Sequence, residues 1–137
     1  MRLSGNALKV DLFHLKFSSS DKPGARIDDL YAVCGQAQKC VRWRERPDIF
    51  LDHLQKREAK TRRSGRPSRY LVGTPAIVNG WTNRWREITY EFSVTIVQPG
   101  YLKIDFDPAH LELFVSTEAL LMDTWGMKFR VIAARKP

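Results

Sequence analysis

Residues 88–96 read Ile-Thr-Tyr-Glu-Phe-Ser-Val-Thr-Ile, and apolar and polar side chains alternate strictly through them. Such alternation is typical of a strand that buries one face. Gln98-Pro99-Gly100 then has the composition of a turn, and Leu102, Ile104 and Phe106 alternate again. This spacing predicts a β-hairpin, which is the clearest structural signal in the chain and the starting point for assigning the fold.

The residues after the hairpin predict short helices and one more strand. Asp107 followed by Pro108 matches a helix N-cap with proline in the first turn. Residues 117–125 predict a further helix that ends at Gly126, and residues 127–133 a final strand. The apolar side of the first of these helices comes from Leu111, Phe114 and Val115.

Upstream of the hairpin, two segments have helical patterns. Residues 3–17 predict a first helix, capped by Ser4, with leucines at helical spacing. Residues 18–24 are rich in loop-forming residues, and a second helix is predicted from Ile27 to Cys34, closed by Gly35. The leucines of the first helix are Leu8, Leu12 and Leu15.

A third helix is predicted from Pro47 to about Lys60, because proline fits the first turn of a helix and disrupts its interior. Residues 61–69 then form a basic loop. Three helices followed by a hairpin are the order of a winged-helix domain. The sequence therefore predicts an α+β, winged-helix-like fold, with short C-terminal helices, in which residues 1–137 form a single domain.

Composition narrows the class of protein. The chain has 137 residues, of which 43% are hydrophobic, and it has no apolar run long enough for a membrane span. Cys34 and Cys40 are its two cysteines, too few for a disulfide scaffold or a zinc site. We expect a cytoplasmic protein with no metal, no other cofactor and no membrane partner.

Positive charge is concentrated in one segment. The net charge is +8, and residues 39–69 alone hold eleven basic and four acidic side chains. Eight of the eleven are arginine, which suits phosphate and base edges. Such a focused charge predicts nucleic-acid binding. The expected contacts are Lys39, Arg42, Trp43, Arg44, Arg46, Lys56, Arg57, Lys60, Arg62, Arg63, Arg66 and Arg69, with Arg42, Arg44 and Arg46 leading.

The chain resembles the winged-helix domains of bacterial plasmid replication initiators. The resemblance rests on Leu3-Ser4-Gly5-Asn6-Ala7, on a helix that ends in Cys34-Gly35, on Arg42-Trp43-Arg44-Glu45, on Leu111 to Phe114, and on Trp125. It implies double-stranded DNA binding in the replication of a plasmid or another mobile element. The chain differs from members of that family in having one such domain where two are usual. A homodimer is therefore one way in which it could bind DNA.

Other functions stay open on the sequence alone. The same charge suits docking onto an acidic protein partner, as an inhibitor or accessory subunit. Trp81 to Arg86 mixes aromatic and basic residues, which suits RNA or single strands, or an ordinary loop anchored by buried indoles. Pro47-Asp48 with Glu58-Ala59-Lys60 matches a nuclease pattern, but one helix would hold both carboxylates too far apart for one metal. We therefore expect no enzymatic activity.

Overall fold

A computed structural model describes residues 1–15, 27–102 and 106–134. Its strands are β1 (Arg2–Ser4), β2 (Ala7–Leu15), β3 (Thr89–Leu102) and β4 (Lys128–Ala134). Its helices are α1 (Ile27–Gln38), α2 (Val41–Glu45), α3 (Pro47–Arg63), α4 (Pro75–Asn83) and α5 (Pro108–Ala119). A 3₁₀ turn at Trp85–Glu87 precedes β3, and a π-helical turn at Leu120–Thr124 extends α5.

The four strands form one mixed sheet in the order β1-β2-β3-β4. The first two strands are antiparallel, and β2–β3 and β3–β4 are parallel pairs. Parallel neighbours need a long crossover. The connection from β2 to β3 includes α1 to α4, and the connection from β3 to β4 includes α5 and the π-helical turn. The chain is α+β, but the predicted winged-helix arrangement is wrong.

The predicted first helix is wrong because its described residues form the β1–β2 hairpin. Gly5 and Asn6 connect the two strands, and Gly5 has a φ of 59°, a conformation that glycine adopts without strain. Leu8 and Val10 are buried, while Lys9 between them and Asp11 after them are less buried, which is strand alternation. Residues 16 and 17, and the loop predicted at 18–24, lie outside the described residues.

The hairpin predicted from residues 88–96 and 102–106 is also wrong. β3 runs on through residues 98–100 to Leu102, with an irregular register between Gln98 and Leu102. Its neighbours are β2 and β4, so its pairing partners come from crossovers and not from the next residues in the chain. A proline and a glycine at this place fit an irregularity in the ladder. Of the strand predicted from Leu102 to Phe106, residues 103–105 lie outside the described residues.

Several local predictions are confirmed. The strands at 88–96 and 127–133 are present in β3 and β4, and the second helix runs to Gln38 instead of ending at Cys34. The third helix begins at Pro47 and continues to Arg63, so it takes in the first part of the predicted basic loop. Asp107 caps α5 reciprocally with His110: each backbone N–H donates to the other's side chain.

The core lies between the sheet and the helices. Leu8 and Val10 of β2, Val94 and Ile96 of β3, and the apolar side of α1 form one buried cluster. α1 packs on β2 and β3 and also contacts α5, whereas α3 contacts α4. α1 and α5 thus lie side by side, as do α3 and α4, and α3 keeps a long face towards solvent.

Candidate nucleic-acid interface

α3 has two faces of different chemistry. Phe50 and Leu51 are buried, and Pro47 occupies the first turn, where its missing N–H costs nothing. His53, Arg57, Lys60 and Ser64 follow at steps of four, three and four residues. That spacing places them in one row along the helix. The same helix therefore anchors itself in the core and presents a basic row.

The chain then returns beside this row. Gly65, with a φ of 70°, follows the C-terminus of α3 and allows a sharp reversal. The backbone N–H of Arg69 donates to Oε2 of Glu58 at 2.9 Å, and Glu58 is only 3% exposed. A buried carboxylate on α3 thereby holds the returning segment. Arg66 and Arg69 are brought alongside the row of α3.

These residues line a concavity of about 480 Å³. Its lining contains no carboxylate. Arg57, Lys60, Arg66 and Arg69 form no ion pair among the residues that the structure describes. Four cations that line one hollow without a carboxylate favour the binding of an external anion. The lining consists of His53, Arg57, Lys60, Thr61, Ser64, Arg66 and Arg69.

A second basic hollow adjoins the first. It is about 210 Å³ in volume and is lined in part by Lys39, Arg42 and Trp43. The Trp43 ring lies 5.2 Å from the His53 ring, centroid to centroid, and so joins the two hollows. The Arg42 guanidinium lies 4.0 Å from the Trp43 ring centroid. We call Lys39, Arg42, His53, Arg57, Lys60, Arg66 and Arg69 together the basic track.

The charge state of His53 reflects the field of the track. Burial lowers the pKa of His53, and the neighbouring charges of Arg57 and Arg42 lower it further. Its imidazole is therefore neutral at neutral pH, chiefly because burial disfavours the charged form and also because the two arginines would repel an added proton. An anion bound in the track would relieve this repulsion. The site is thus already arranged for negative charge before a ligand arrives.

The floor of the second hollow is chemically inert. His14 Nε2 lies 3.0 Å from Cys40 Sγ. Burial raises the pKa of Cys40 to about 11, against a smaller opposing effect of Arg42. Burial also lowers the pKa of His14. The thiol stays protonated and the imidazole neutral at physiological pH, so this pair provides no thiolate nucleophile.

The other predicted contacts lie elsewhere. Arg44 borders a separate notch at the start of β4. Arg46 forms an ion pair with Asp48, and Lys56 forms one with Asp52, each with a nitrogen–oxygen distance of 2.7 Å. Arg62 Nε lies 3.8 Å from Oε1 of Glu58, and Arg63 is exposed at the end of α3. The twelve predicted residues therefore do not share one surface. Their roles in binding stay predictions.

The sequence missed two functional side chains. His53 joins the two hollows, and its spacing of four residues from Arg57 was the available signal. Glu58 holds the returning segment, and nothing local in the sequence distinguishes it from a solvated glutamate. Trp81 in the last turn of α4 and Trp85 in the 3₁₀ turn are partly buried and pack against the core, so the indoles anchor this segment, which is helical and not a loop.

Acidification is expected to release the returning segment. The hydrogen bond from the Arg69 N–H holds the pKa of Glu58 below its ordinary value, helped by Ser68 and Arg62, although burial opposes this. Because the pKa of Glu58 is lower in the folded state than in the unfolded state, the contact contributes its full stability at pH values above the ordinary glutamate pKa. That contribution is lost as the pH falls through the lower, folded-state pKa. The NMR amide shift of Arg69, followed from pH 6 to pH 2, is expected to titrate below the glutamate of a short matched peptide. A midpoint at or above the peptide value contradicts the role given to Glu58.

Asp48 and Glu58 both lie on α3, as predicted, and no group of three or more potential metal-ligating side chains occurs in the ranges given above. Nor does any helix there have the length and apolarity to cross a bilayer.

Comparison of the chain with family models, with curated proteins and with solved structures gives no match. The resemblance to plasmid replication initiators stays an expectation, without the winged-helix fold that it implied. Any assignment of function therefore rests on the residues of this chain.

Proposed function

We propose that the protein binds nucleic acid, and double-stranded DNA in preference, through the basic track. The observation that supports this most is the hollow lined by Arg57, Lys60, Arg66 and Arg69 without a carboxylate. Arginine forks bind phosphate oxygens bidentately, as they do carboxylates. The proposal is of a binding protein with no catalytic step.

The shape of the track suits a linear polyanion. Residues 53 to 64 of the α3 row span about 16 Å at the rise of an α-helix. Phosphates along one DNA strand follow each other by about 3.4 Å of helix axis, so this length covers roughly five of them. Lys39 and Arg42 extend the line past His53. A single small anion would occupy only part of this surface.

The alternatives differ in what they need from the structure. RNA or single-strand binding by base stacking needs exposed rings, and Trp43, Trp81 and Trp85 are all partly buried against the core. Docking onto an acidic protein needs only the charge of the track. Duplex DNA uses both the charge and its linear arrangement, which is why we favour it.

Fluorescence anisotropy with labelled duplex DNA, single-stranded DNA and RNA of equal length tests the proposal. Six cations of the track can neutralise six phosphates, so log affinity is expected to fall with log salt with a slope of about −5. Duplex DNA is expected to bind best of the three. Failure of every nucleic acid to bind more tightly than about 10 μM near physiological salt would contradict nucleic-acid binding and favour an acidic protein partner.

A further inference from the structure

Two aliphatic side chains project from the segment that follows the track. Leu71 is 97% exposed and Val72 is 93% exposed, the highest values among the large hydrophobic residues that the structure describes. Burial of such side chains is strongly favoured over exposure to water. Gly65 and Gly73, with φ values of 70° and 84°, bracket this segment. A short apolar tip is therefore held away from the body of the protein.

The tip directly follows a cation of the basic track. Arg69, which lines the track, precedes Leu71 by two residues, so their Cα atoms are at most about 7 Å apart. Tyr70 between them turns towards α3, where it lines a hollow with Glu58 and Arg62. Val72 borders a groove formed with Ile77 and Trp81 of α4. Positive charge and an exposed apolar pair thus meet at one place.

We infer that Leu71 and Val72 form a wedge that enters the minor groove of duplex DNA held by the basic track and partly unstacks one base step. Aliphatic side chains flanked by arginines act on DNA in this way, and the unstacked step kinks the duplex. This inference rests on the proposed function. It adds that the protein bends its DNA and that the bend depends on the tip.

The geometry favours DNA over the other partners for such a tip. An anionic bilayer presents its charges in a plane, whereas Arg57 and Lys60 line a concavity. An acidic protein would need a pocket for two aliphatic side chains at the end of an acidic ridge. Duplex DNA offers both features, since its pyrimidine–purine steps unstack easily beside a continuous line of phosphates.

The test measures bending separately from binding. A duplex with donor and acceptor dyes at its ends reports bending by energy transfer, and 2-aminopurine in its centre reports unstacking by increased fluorescence. Anisotropy on the same duplex gives the affinity and its salt slope. The full chain is expected to bind, to raise the energy transfer and to raise the 2-aminopurine signal together.

The decisive variant is Leu71→Ala/Val72→Ala. It is expected to keep the salt slope, to lose the bending and 2-aminopurine signals, and to bind roughly tenfold more weakly. Leu71→Met/Val72→Ile keeps an apolar tip and is expected to keep both signals. Leu111→Ala/Val115→Ala is the matched control, since it removes two exposed aliphatic side chains from α5 and leaves the tip intact.

The outcomes separate the wedge from the proposed function. If the full chain binds duplex DNA with a steep salt slope but neither bends nor unstacks it, the wedge is wrong and DNA binding stands. If the full chain binds no nucleic acid, both are wrong. If vesicles containing phosphatidylserine bind more tightly than DNA, and Leu71→Ala/Val72→Ala abolishes that binding, the tip is a lipid-contacting element and the wedge is wrong.

Discussion

Replacing Arg57, Lys60, Arg66 and Arg69 together with alanine is expected to lower the affinity for duplex DNA by a hundredfold or more, on the order expected for four lost phosphate contacts. These four side chains face one hollow without a counter-charge, so each is available to a phosphate. The salt slope is expected to fall from about −5 to about −2, because two of six cations remain. Anisotropy across a salt series measures both quantities.

A matched variant separates local contacts from net charge. Arg46→Ala/Lys56→Ala/Arg84→Ala/Arg86→Ala also removes four positive charges, but Arg46 and Lys56 are paired with Asp48 and Asp52. Arg84 and Arg86 are exposed beyond α4. This variant is expected to change affinity only a few-fold and to keep most of the slope. Equal losses in the two variants would mean that binding follows total charge, and the basic track would have no special role.

The backbone conformation of α2 decides which arginines share a surface, and their spacing in the sequence does not reveal it. Arg42, Arg44 and Arg46 stand at every second position, which on a strand would place them on one face. They lie in and just after the short helix α2, where a step of two residues turns the side chain by about 200°. Arg42 therefore joins the track, while Arg44 borders the notch beside β4. The cluster of charge was predictable, whereas its division between surfaces required the helix.

Strands were predictable one at a time, but their partners were not. Alternation identified residues 88–96 correctly because it reflects burial of one face within the strand itself. The pairing of Asp11 with Ser93 joins residues that are far apart in sequence, and no local pattern encodes it. The expected hairpin at 98–100 followed the rule that neighbours in sequence pair, whereas α5 carries the chain on to β4 as the true neighbour.

The N-terminal segment was ambiguous because its apolar residues satisfy two periods. Leu8, Leu12 and Leu15 fit a helix, while Leu8, Val10 and Leu12 fit a strand. Gly5-Asn6 is a two-residue connection typical of a hairpin, and it distinguishes the two possibilities. The energetic consequences of the two structures differ sharply at Leu8 and Leu15.

Leu8→Ala is expected to destabilise the protein by about 2–5 kcal/mol, because a fully buried leucine leaves a cavity when it is truncated. Leu15→Ala removes the same atoms from the same strand, but Leu15 is 59% exposed. Its effect is expected to stay within about 0.5 kcal/mol. Urea unfolding followed by circular dichroism gives both values. On an amphipathic helix the two leucines would share the buried face and both would cost stability. Similar losses for Leu8→Ala and Leu15→Ala would therefore contradict β2, and with it the parallel sheet that supports α3 and the basic track.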